Sequence, residues 1–309
     1  MLKRRNRYLK QAKRLAPLML LLGVSSCAGI AAYPESSLTP GARYVALGSS
    51  YAAGPGVTTP AEGTRNRCGR SSDNYAHQLA RMRKLDLVDV TCGGATTAHI
   101  LGPWNELPPQ LDALTLDTAL VTVTIGGNDV GYIGRLMANS CDPSVGSSAA
   151  AQAICSGMRR RAPAGAGRPA PPTEETWKRL ASNMQNIARE VHRRSPHAHL
   201  VFVDYLTVIS HQGTCSNAPL TPAAAAEARR LATRLAELTA KAARSTGAQV
   251  VSISKASRSH DACSQEPWVT GFVPSPGPNG FAPYHPNLDG MTEVARTLDR
   301  TIAKKRQSL

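Results

Sequence analysis

Five short runs of aliphatic and β-branched residues recur along the chain, and longer segments with helical periodicity separate them. We predict strands at residues 43–48, 87–91, 119–125, 200–204 and 249–253. Their apolar residues are nearly consecutive, as in parallel strands that are buried on both faces. The pattern therefore predicts an α/β fold, a three-layer α/β/α sandwich around a central, mainly parallel five-stranded sheet.

The helices between these strands have recognisable ends. We predict one helix over residues 174–194 and a second that begins at Pro222 and stops at Gly247, because proline favours the first helical position and glycine the position beyond the end. A final helix is expected over 291–303. The proline- and glycine-rich stretch at 162–172 predicts a surface loop.

The N-terminal segment has the features of an export signal. A basic stretch precedes a short apolar run at residues 15–24, which is too short to span a bilayer. We predict a signal peptide over 1–26. The sequence ending in Cys27 resembles the lipobox of bacterial lipoproteins, so we expect a lipidated Cys27, a tether over 27–42 and a catalytic domain over 43–309. The alternative is an ordinary signal peptide that is cleaved a little later.

Nearly half of the net positive charge of the chain lies in this N-terminal segment. Seven basic residues and no acidic ones precede Cys27, so the formal charge of +15 leaves +8 for the remainder. The sequence has no basic patch interleaved with aromatic residues, so nucleic-acid binding is not predicted. It also has no HExxH, P-loop or GxGxxG motif, so neither a metal nor a nucleotide cofactor is predicted. We expect a monomer in the bacterial cell envelope, lipid-anchored or secreted.

The cysteines also indicate export. An even set of six remains after Cys27, and none lies in a CxxC pair of metal-ligand spacing. Disulfides are therefore expected in an oxidising compartment, although six cysteines allow 15 connectivities. The six are Cys68, Cys92, Cys141, Cys155, Cys215 and Cys263.

Four segments contain candidate catalytic groups. Three follow predicted strands: GSSYAAG at 48–54, CGGAT at 92–96 and GGND at 126–129; the fourth, YHPNLDG at 284–290, precedes the last helix. A serine beyond a strand lies where open α/β sheets bind ligands, and it needs a base such as imidazole to become nucleophilic.

Together, in this order, the four segments resemble those of the SGNH (GDSL-type) hydrolase superfamily, most closely a subgroup of secreted actinobacterial esterases and lipases. The resemblance implies a flavodoxin-like sheet, with Ser50 as nucleophile and His285 as base. It also implies an oxyanion hole formed by the backbone N–H groups of Ser50 and Gly94 and the side-chain amide of Asn128. The subgroup's sequential disulfides imply the pairs Cys68–Cys92, Cys141–Cys155 and Cys215–Cys263.

Two positions depart from the superfamily pattern. Ser49 stands where most members have Asp, and Ala282 stands where most have the acid that orients the histidine. In the subgroup a main-chain carbonyl replaces that acid, so we assign the carbonyl of Ala282 as orienting group. The alternatives are that the carboxylate of Asp129 or Asp289 orients the histidine, or that no group orients the His285 ring. The adjacent pair His260 and Asp261 is the nearest rival for an imidazole–acid pair.

These features predict an exported serine esterase or lipase that hydrolyses carboxylic esters, lipid esters included, through an acyl-enzyme on Ser50. One alternative is an acyltransferase or deacetylase that acts on envelope glycans, because the same groups serve when a sugar hydroxyl accepts or releases the acyl group. Another alternative, prompted by Ser49 and the missing acid, is a binding lipoprotein without catalytic activity.

Overall fold

The core of the protein is a β-sheet of five strands. The computed structural model describes residues 38–61, 67–146, 148–161, 168–209, 211, 213–273 and 282–305. The strands are β1 (Arg43–Gly48), β2 (Asp86–Asp89), β3 (Thr118–Thr124), β4 (His199–Val203) and β5 (Gln249–Val251). The predicted signal peptide, Cys27 and the tether as far as residue 37 lie outside the described residues.

All four strand pairs are parallel, and the order across the sheet is β2-β1-β3-β4-β5. Every residue of β3 and β4 is buried, as expected for parallel strands that are covered on both faces. The predicted five-stranded, flavodoxin-like sheet is confirmed. In this order the chain reverses its direction of winding at β1, so that a ligand crevice is expected beyond the carboxyl ends of β1 and β3.

The helices fall into two groups. They are α1 (Ser50–Ala53), α2 (Tyr75–Arg83), α3 (Thr97–Leu101), α4 (Tyr132–Ser140), α5 (Ala149–Arg161), α6 (Glu174–Arg194), α7 (Pro222–Ser245), α8 (Ile253–Ala256) and α9 (Leu288–Lys305). Helix α2 packs against α9, whereas α6 packs against α3 and α7, and α7 also packs against α4. Two such groups supply the outer layers of the α/β/α sandwich.

The element ends agree closely with the sequence pattern. The helix predicted over 174–194 is found there, while the last helix begins at Leu288, three residues earlier than predicted. Strand β5 is shorter than predicted because α8 begins at Ile253. Helix α5 occupies a segment for which no helix was predicted. Within the part of the chain that the structure describes, no helix is long and apolar enough to cross a membrane.

Candidate active site

Three turns meet at the carboxyl edge of the sheet, each beyond one of three adjacent strands. Ser50 follows β1, Gly94 follows β2 and Asn128 follows β3. Because β1 lies between β2 and β3, the three turns are neighbours. The loop that precedes α9 brings His285 to the same edge, where its ring meets Ser50. The structure thus brings together all four segments that the sequence singled out.

The turn before Ser50 leaves no room for a side chain at residue 48. Gly48 has a φ of +149°, and a Cβ there would lie 2.5 Å from the carbonyl oxygen of Thr124. The buried side-chain amide of Gln110 accepts from Gly48 N at 2.8 Å and donates to Gly48 O at 3.0 Å. Gln110 therefore fixes the end of β1 and with it the start of the Ser50 turn. Sequence reasoning missed this residue.

Ser49 and Ser50 face different surroundings. Ser49 is 1% exposed, and its Oγ shares a hydrogen bond of 3.2 Å with the hydroxyl of Tyr205, which also accepts from Gly127 N at 2.9 Å. Ser50 is half-buried and is the first residue of α1. Only the Ser50 hydroxyl is therefore placed where a substrate can reach it.

Ser50 and His285 form a direct pair. The Nε2 atom of His285 lies 2.8 Å from Ser50 Oγ, and the Nδ1 atom lies 2.8 Å from the carbonyl oxygen of Pro283. Because a carbonyl oxygen only accepts, Nδ1 carries the proton, and Nε2 is left to accept from the Ser50 hydroxyl. Burial lowers the pKa of His285, and the hydrogen bond to Pro283 opposes this shift. The ring is thus neutral near neutral pH, the state that a base requires.

The assignment of Ala282 as the orienting residue was wrong by one position. The Ala282 carbonyl accepts instead from Thr270 Oγ1 at 2.7 Å. The difference arises at Tyr284, which has a φ of +60°, in the left-handed region that is rare for aromatic residues. This conformation turns the loop so that the Pro283 carbonyl faces the His285 ring.

The two candidate carboxylates lie elsewhere. Asp129 accepts from the backbone N–H of Thr97 at 3.0 Å and from its hydroxyl at 2.5 Å, and burial raises the pKa of this carboxyl. Asp129 therefore supports the first turn of α3. Asp289 is exposed on the first turn of α9. Among the described residues, no carboxylate is hydrogen-bonded to His285.

The side chains of the rival pair, His260 and Asp261, contact residues close to them in the sequence. The His260 ring stacks on Trp268 at 4.0 Å, and its Nδ1 lies 2.7 Å from the carbonyl oxygen of Glu266. Asp261 accepts from the backbone N–H of Cys263 at 2.8 Å. This imidazole and this carboxylate have separate partners, so they do not form a catalytic pair with each other.

Three donors lie next to the Ser50 turn. Gly94 is exposed and has a φ of +87°. The N–H groups of the residues on either side of it have acceptors: Gly93 N donates to Cys68 O, and Ala95 N donates to Cys92 O. In the described part of the chain, neither Gly94 N nor Ser50 N has an acceptor. The side-chain amide of Asn128 donates one of its two N–H bonds to the carbonyl of Ala95 at 2.8 Å, which leaves the other available.

The three predicted disulfides are present. They are Cys68–Cys92, Cys141–Cys155 and Cys215–Cys263. The first of them fastens residue 68 to the turn that carries Gly94, and the hydrogen bond of 2.8 Å from Gly93 N to Cys68 O joins the same two segments. The disulfides indicate that the domain folds outside the reducing cytoplasm.

A stack of three side chains borders Gly94. The Trp104 ring lies between the His99 ring, at 4.1 Å and nearly parallel, and the Arg67 guanidinium, at 4.0 Å from its centre. A Cβ at Gly94 would lie 3.2 Å from the edge of Trp104. Trp104 therefore lies directly beside Gly94 at the carboxyl edge of the sheet.

Comparisons with known proteins agree with this geometry. Residues 46–292 match the GDSL-like Lipase/Acylhydrolase family. Lipase 2 of Streptomyces coelicolor is 33% identical over 91% of this chain and 92% of its own length, and a lipase of Streptomyces rimosus is 26% identical over 90% and 91%. The crystal structure of phospholipase A1 from Streptomyces albidoflavus NA297 superposes with a TM-score of 0.64 at 25% identity, covering 84% of this chain and 99% of that one.

The matched region begins within β1, before Ser50, and ends within α9, after His285, so it contains all four segments of the site. The three disulfides and the Ser50–His285 pair lie within it. The chain therefore belongs to the GDSL-like Lipase/Acylhydrolase family and is an ester-hydrolysing serine hydrolase.

Proposed function

We propose that the protein is an exported esterase or lipase that hydrolyses carboxylic esters, lipid esters included, through an acyl-enzyme on Ser50. The contact of 2.8 Å between Ser50 Oγ and His285 Nε2 carries the proposal. A serine hydroxyl becomes an effective nucleophile when an adjacent base takes its proton as it attacks. The neutral His285 ring is placed to do this.

In the acylation step, Ser50 Oγ bonds to the carbonyl carbon of the ester while its proton passes to His285 Nε2. The carbonyl oxygen becomes an oxyanion in the tetrahedral intermediate. When the intermediate collapses, the bond to the alcohol oxygen breaks, and His285 returns the proton to that oxygen. The alcohol leaves, and the acyl group remains on Ser50.

The oxyanion needs donors that are in place before the charge develops. The backbone N–H groups of Ser50 and Gly94 and the second amide N–H of Asn128 are the donors that we assign to this role. Glycine at 94 suits it because the φ of +87° is strained for any other residue. The amide of Asn128 is held by its other hydrogen bond, at 2.8 Å, to Ala95.

In the deacylation step, His285 accepts a proton from water while the water oxygen attacks the acyl carbon. When the second tetrahedral intermediate collapses, the bond between Ser50 Oγ and the acyl carbon breaks, and His285 returns the proton to Ser50 Oγ. The carboxylic acid leaves. The carbonyl of Pro283 keeps the His285 ring in one tautomer and orientation during both steps. Its dipole stabilises the imidazolium ion, the task that a carboxylate performs in a Ser-His-Asp triad.

The substrate class and location rest on separate arguments. Lipase and phospholipase names recur among the similar Streptomyces proteins, which supports a lipid ester as substrate. The lipobox-like sequence before Cys27 supports a lipid anchor, with residues 27–42 as tether, in the bacterial cell envelope. We further propose that the enzyme acts as a monomer and binds no nucleic acid.

Two substitutions in adjacent serines test the assignment. Ser50→Ala should abolish hydrolysis of p-nitrophenyl esters and labelling by a fluorophosphonate probe, whereas Ser49→Ala should keep both, because Ser49 does not contact His285. Full activity in Ser50→Ala would refute the proposal. A chain-length series of p-nitrophenyl esters then tests the lipid assignment, since a preference for acetyl over longer chains would contradict it.

A further inference from the structure

Tyr51 joins the two halves of the active site. It follows Ser50 in α1, and its side chain is only 2% exposed. Its hydroxyl donates a hydrogen bond of 2.5 Å to the carbonyl oxygen of Tyr284, the residue immediately before His285. The Tyr51 ring also lies against the His285 ring, with a centroid distance of 5.3 Å. The Tyr51 side chain therefore connects α1, which carries Ser50, to the loop that carries His285.

The carbonyl that Tyr51 holds belongs to the residue whose conformation orients the base. Tyr284 has a φ of +60°, and an aromatic residue adopts this conformation only where its surroundings enforce it. The same conformation directs the Pro283 carbonyl to His285 Nδ1 at 2.8 Å. Any relaxation of Tyr284 would therefore move the group that orients His285.

Tyr284 is restrained at both its backbone and its side chain. The Tyr51 hydroxyl bonds to the backbone carbonyl, while Ser140 Oγ bonds to the Tyr284 hydroxyl at 2.5 Å. The Phe272 ring stacks on the Tyr284 ring with a centroid distance of 5.8 Å. Of these three contacts, the one from Tyr51 holds the carbonyl of the peptide that links Tyr284 to His285. The N–H of this peptide donates to Thr270 Oγ1 at 3.2 Å and to Ala282 O at 3.3 Å.

We propose that Tyr51 is a positioning residue that keeps Tyr284 in its left-handed conformation and thereby aligns His285 with Ser50. The inference deepens the proposed function, on which it rests. Since the Tyr284 carbonyl only accepts, the Tyr51 hydroxyl must stay protonated, and burial favours this because it raises the pKa of Tyr51 well above the ordinary value. The residue takes no proton from the substrate and acts through the base.

A buried tyrosine can also be a plain part of the core, and a second tyrosine in this chain provides the control. Tyr44 is fully buried in β1, and its hydroxyl shares a hydrogen bond of 2.8 Å with Thr122 Oγ1. Tyr44→Phe and Tyr51→Phe remove the same atom from equally buried rings. Only Tyr51→Phe removes a contact with the loop of His285.

The test compares the two variants with the native protein in kcat, KM and the rate of fluorophosphonate labelling. Tyr51→Phe should lower kcat and the labelling rate about tenfold, the effect of one lost hydrogen bond on the reactive geometry, with KM changed less than about twofold. The downfield proton resonance of His285 Nδ1–H should broaden in this variant. Tyr44→Phe should leave all four properties at native values, even if the melting temperature falls equally in both variants.

Equal activity of Tyr51→Phe and Tyr44→Phe would overturn the inference, as would a defect of Tyr51→Phe confined to KM. If Tyr51→Phe does not fold, Tyr51→Met, which also removes the hydroxyl, takes its place, and an unchanged kcat in that variant would then overturn the inference. Ser50→Ala is measured alongside. Activity in that variant would show that the proposed function itself fails, whereas an inactive Ser50→Ala with a fully active Tyr51→Phe refutes only the role of Tyr51.

Discussion

Replacing Asp129 by Asn should lower the stability of the protein without the large loss of kcat that removal of a triad acid causes. In a Ser-His-Asp triad, removing the acid lowers kcat by about 10⁴, which corresponds to about 5 kcal/mol of activation free energy. Asp129 has no contact with His285, because its carboxylate accepts from the backbone N–H and hydroxyl of Thr97. We therefore expect kcat of Asp129→Asn to stay within about tenfold of the native value.

The expected loss of stability follows from the two hydrogen bonds. Each is worth about 0.5–1.5 kcal/mol, and an amide at residue 129 can still accept through its single oxygen. The free energy of unfolding should therefore fall by about 1–2 kcal/mol, and the melting temperature by about 2–8 °C for a domain of this size. Asp289→Asn is the matched control, since Asp289 is exposed, and it should change neither property.

Steady-state hydrolysis of a p-nitrophenyl ester and thermal unfolding by circular dichroism measure the two effects on the same samples. A loss of four orders of magnitude in kcat for either variant, in protein that remains folded at the assay temperature, would refute the reasoning. The residue responsible would then be the third member of a triad, and the Pro283 carbonyl would not be the group that supports the base.

Three further predictions concern the oxyanion donors and the titrating groups. Asn128→Ala should lower kcat by about 10²–10³ with a smaller change in KM, and a defect in KM alone would make Asn128 a substrate-binding residue. As the pH rises, kcat/KM should increase through a single ionisation with a pKa below about 6.5, because burial lowers the pKa of His285 and only the neutral ring accepts a proton. An ionisation with a pKa above about 6.5 would contradict this. Burial raises the pKa of Asp204 to about 6, so the folded state binds the proton of this carboxyl more tightly than the unfolded chain does. The free energy of unfolding should therefore fall by up to about 3 kcal/mol as the pH rises from about 4 to about 6. Urea unfolding at several pH values should show this slope in the native protein and not in Asp204→Asn.

The sequence was informative where local pattern determines structure. The central strands β1, β3 and β4 are buried on both faces, so their apolar runs were recognisable. Ser50, Gly94 and Asn128 each follow a strand that was predicted. The Ser50–His285 contact joins residues 235 positions apart, and it was anticipated only through the resemblance to a family. Without that resemblance, nothing in the local sequence pairs these two residues.

The misassignment of Ala282 and the missed residues have a common physical cause. The left-handed conformation of Tyr284 is imposed by contacts with distant residues, and a tyrosine in the sequence gives no sign of it. Gln110 reaches Gly48 across 62 positions, and Tyr51 reaches Tyr284 across 233. Such contacts depend on how the loops pack over the edge of the sheet, which periodicity along the chain does not encode.

The disulfide between Cys68 and Cys92 has a consequence for how the enzyme is produced and handled. In protein made in a reducing cytosol, the turn that carries Gly94 would keep the hydrogen bond from Gly93 N to Cys68 O but would lose its covalent link to residue 68. Such material would contain Ser50 and His285 but would lack the covalent brace beside them. Recombinant preparations should therefore be oxidised before they are assayed, and comparing their turnover before and after reoxidation would measure how much the brace contributes to catalysis.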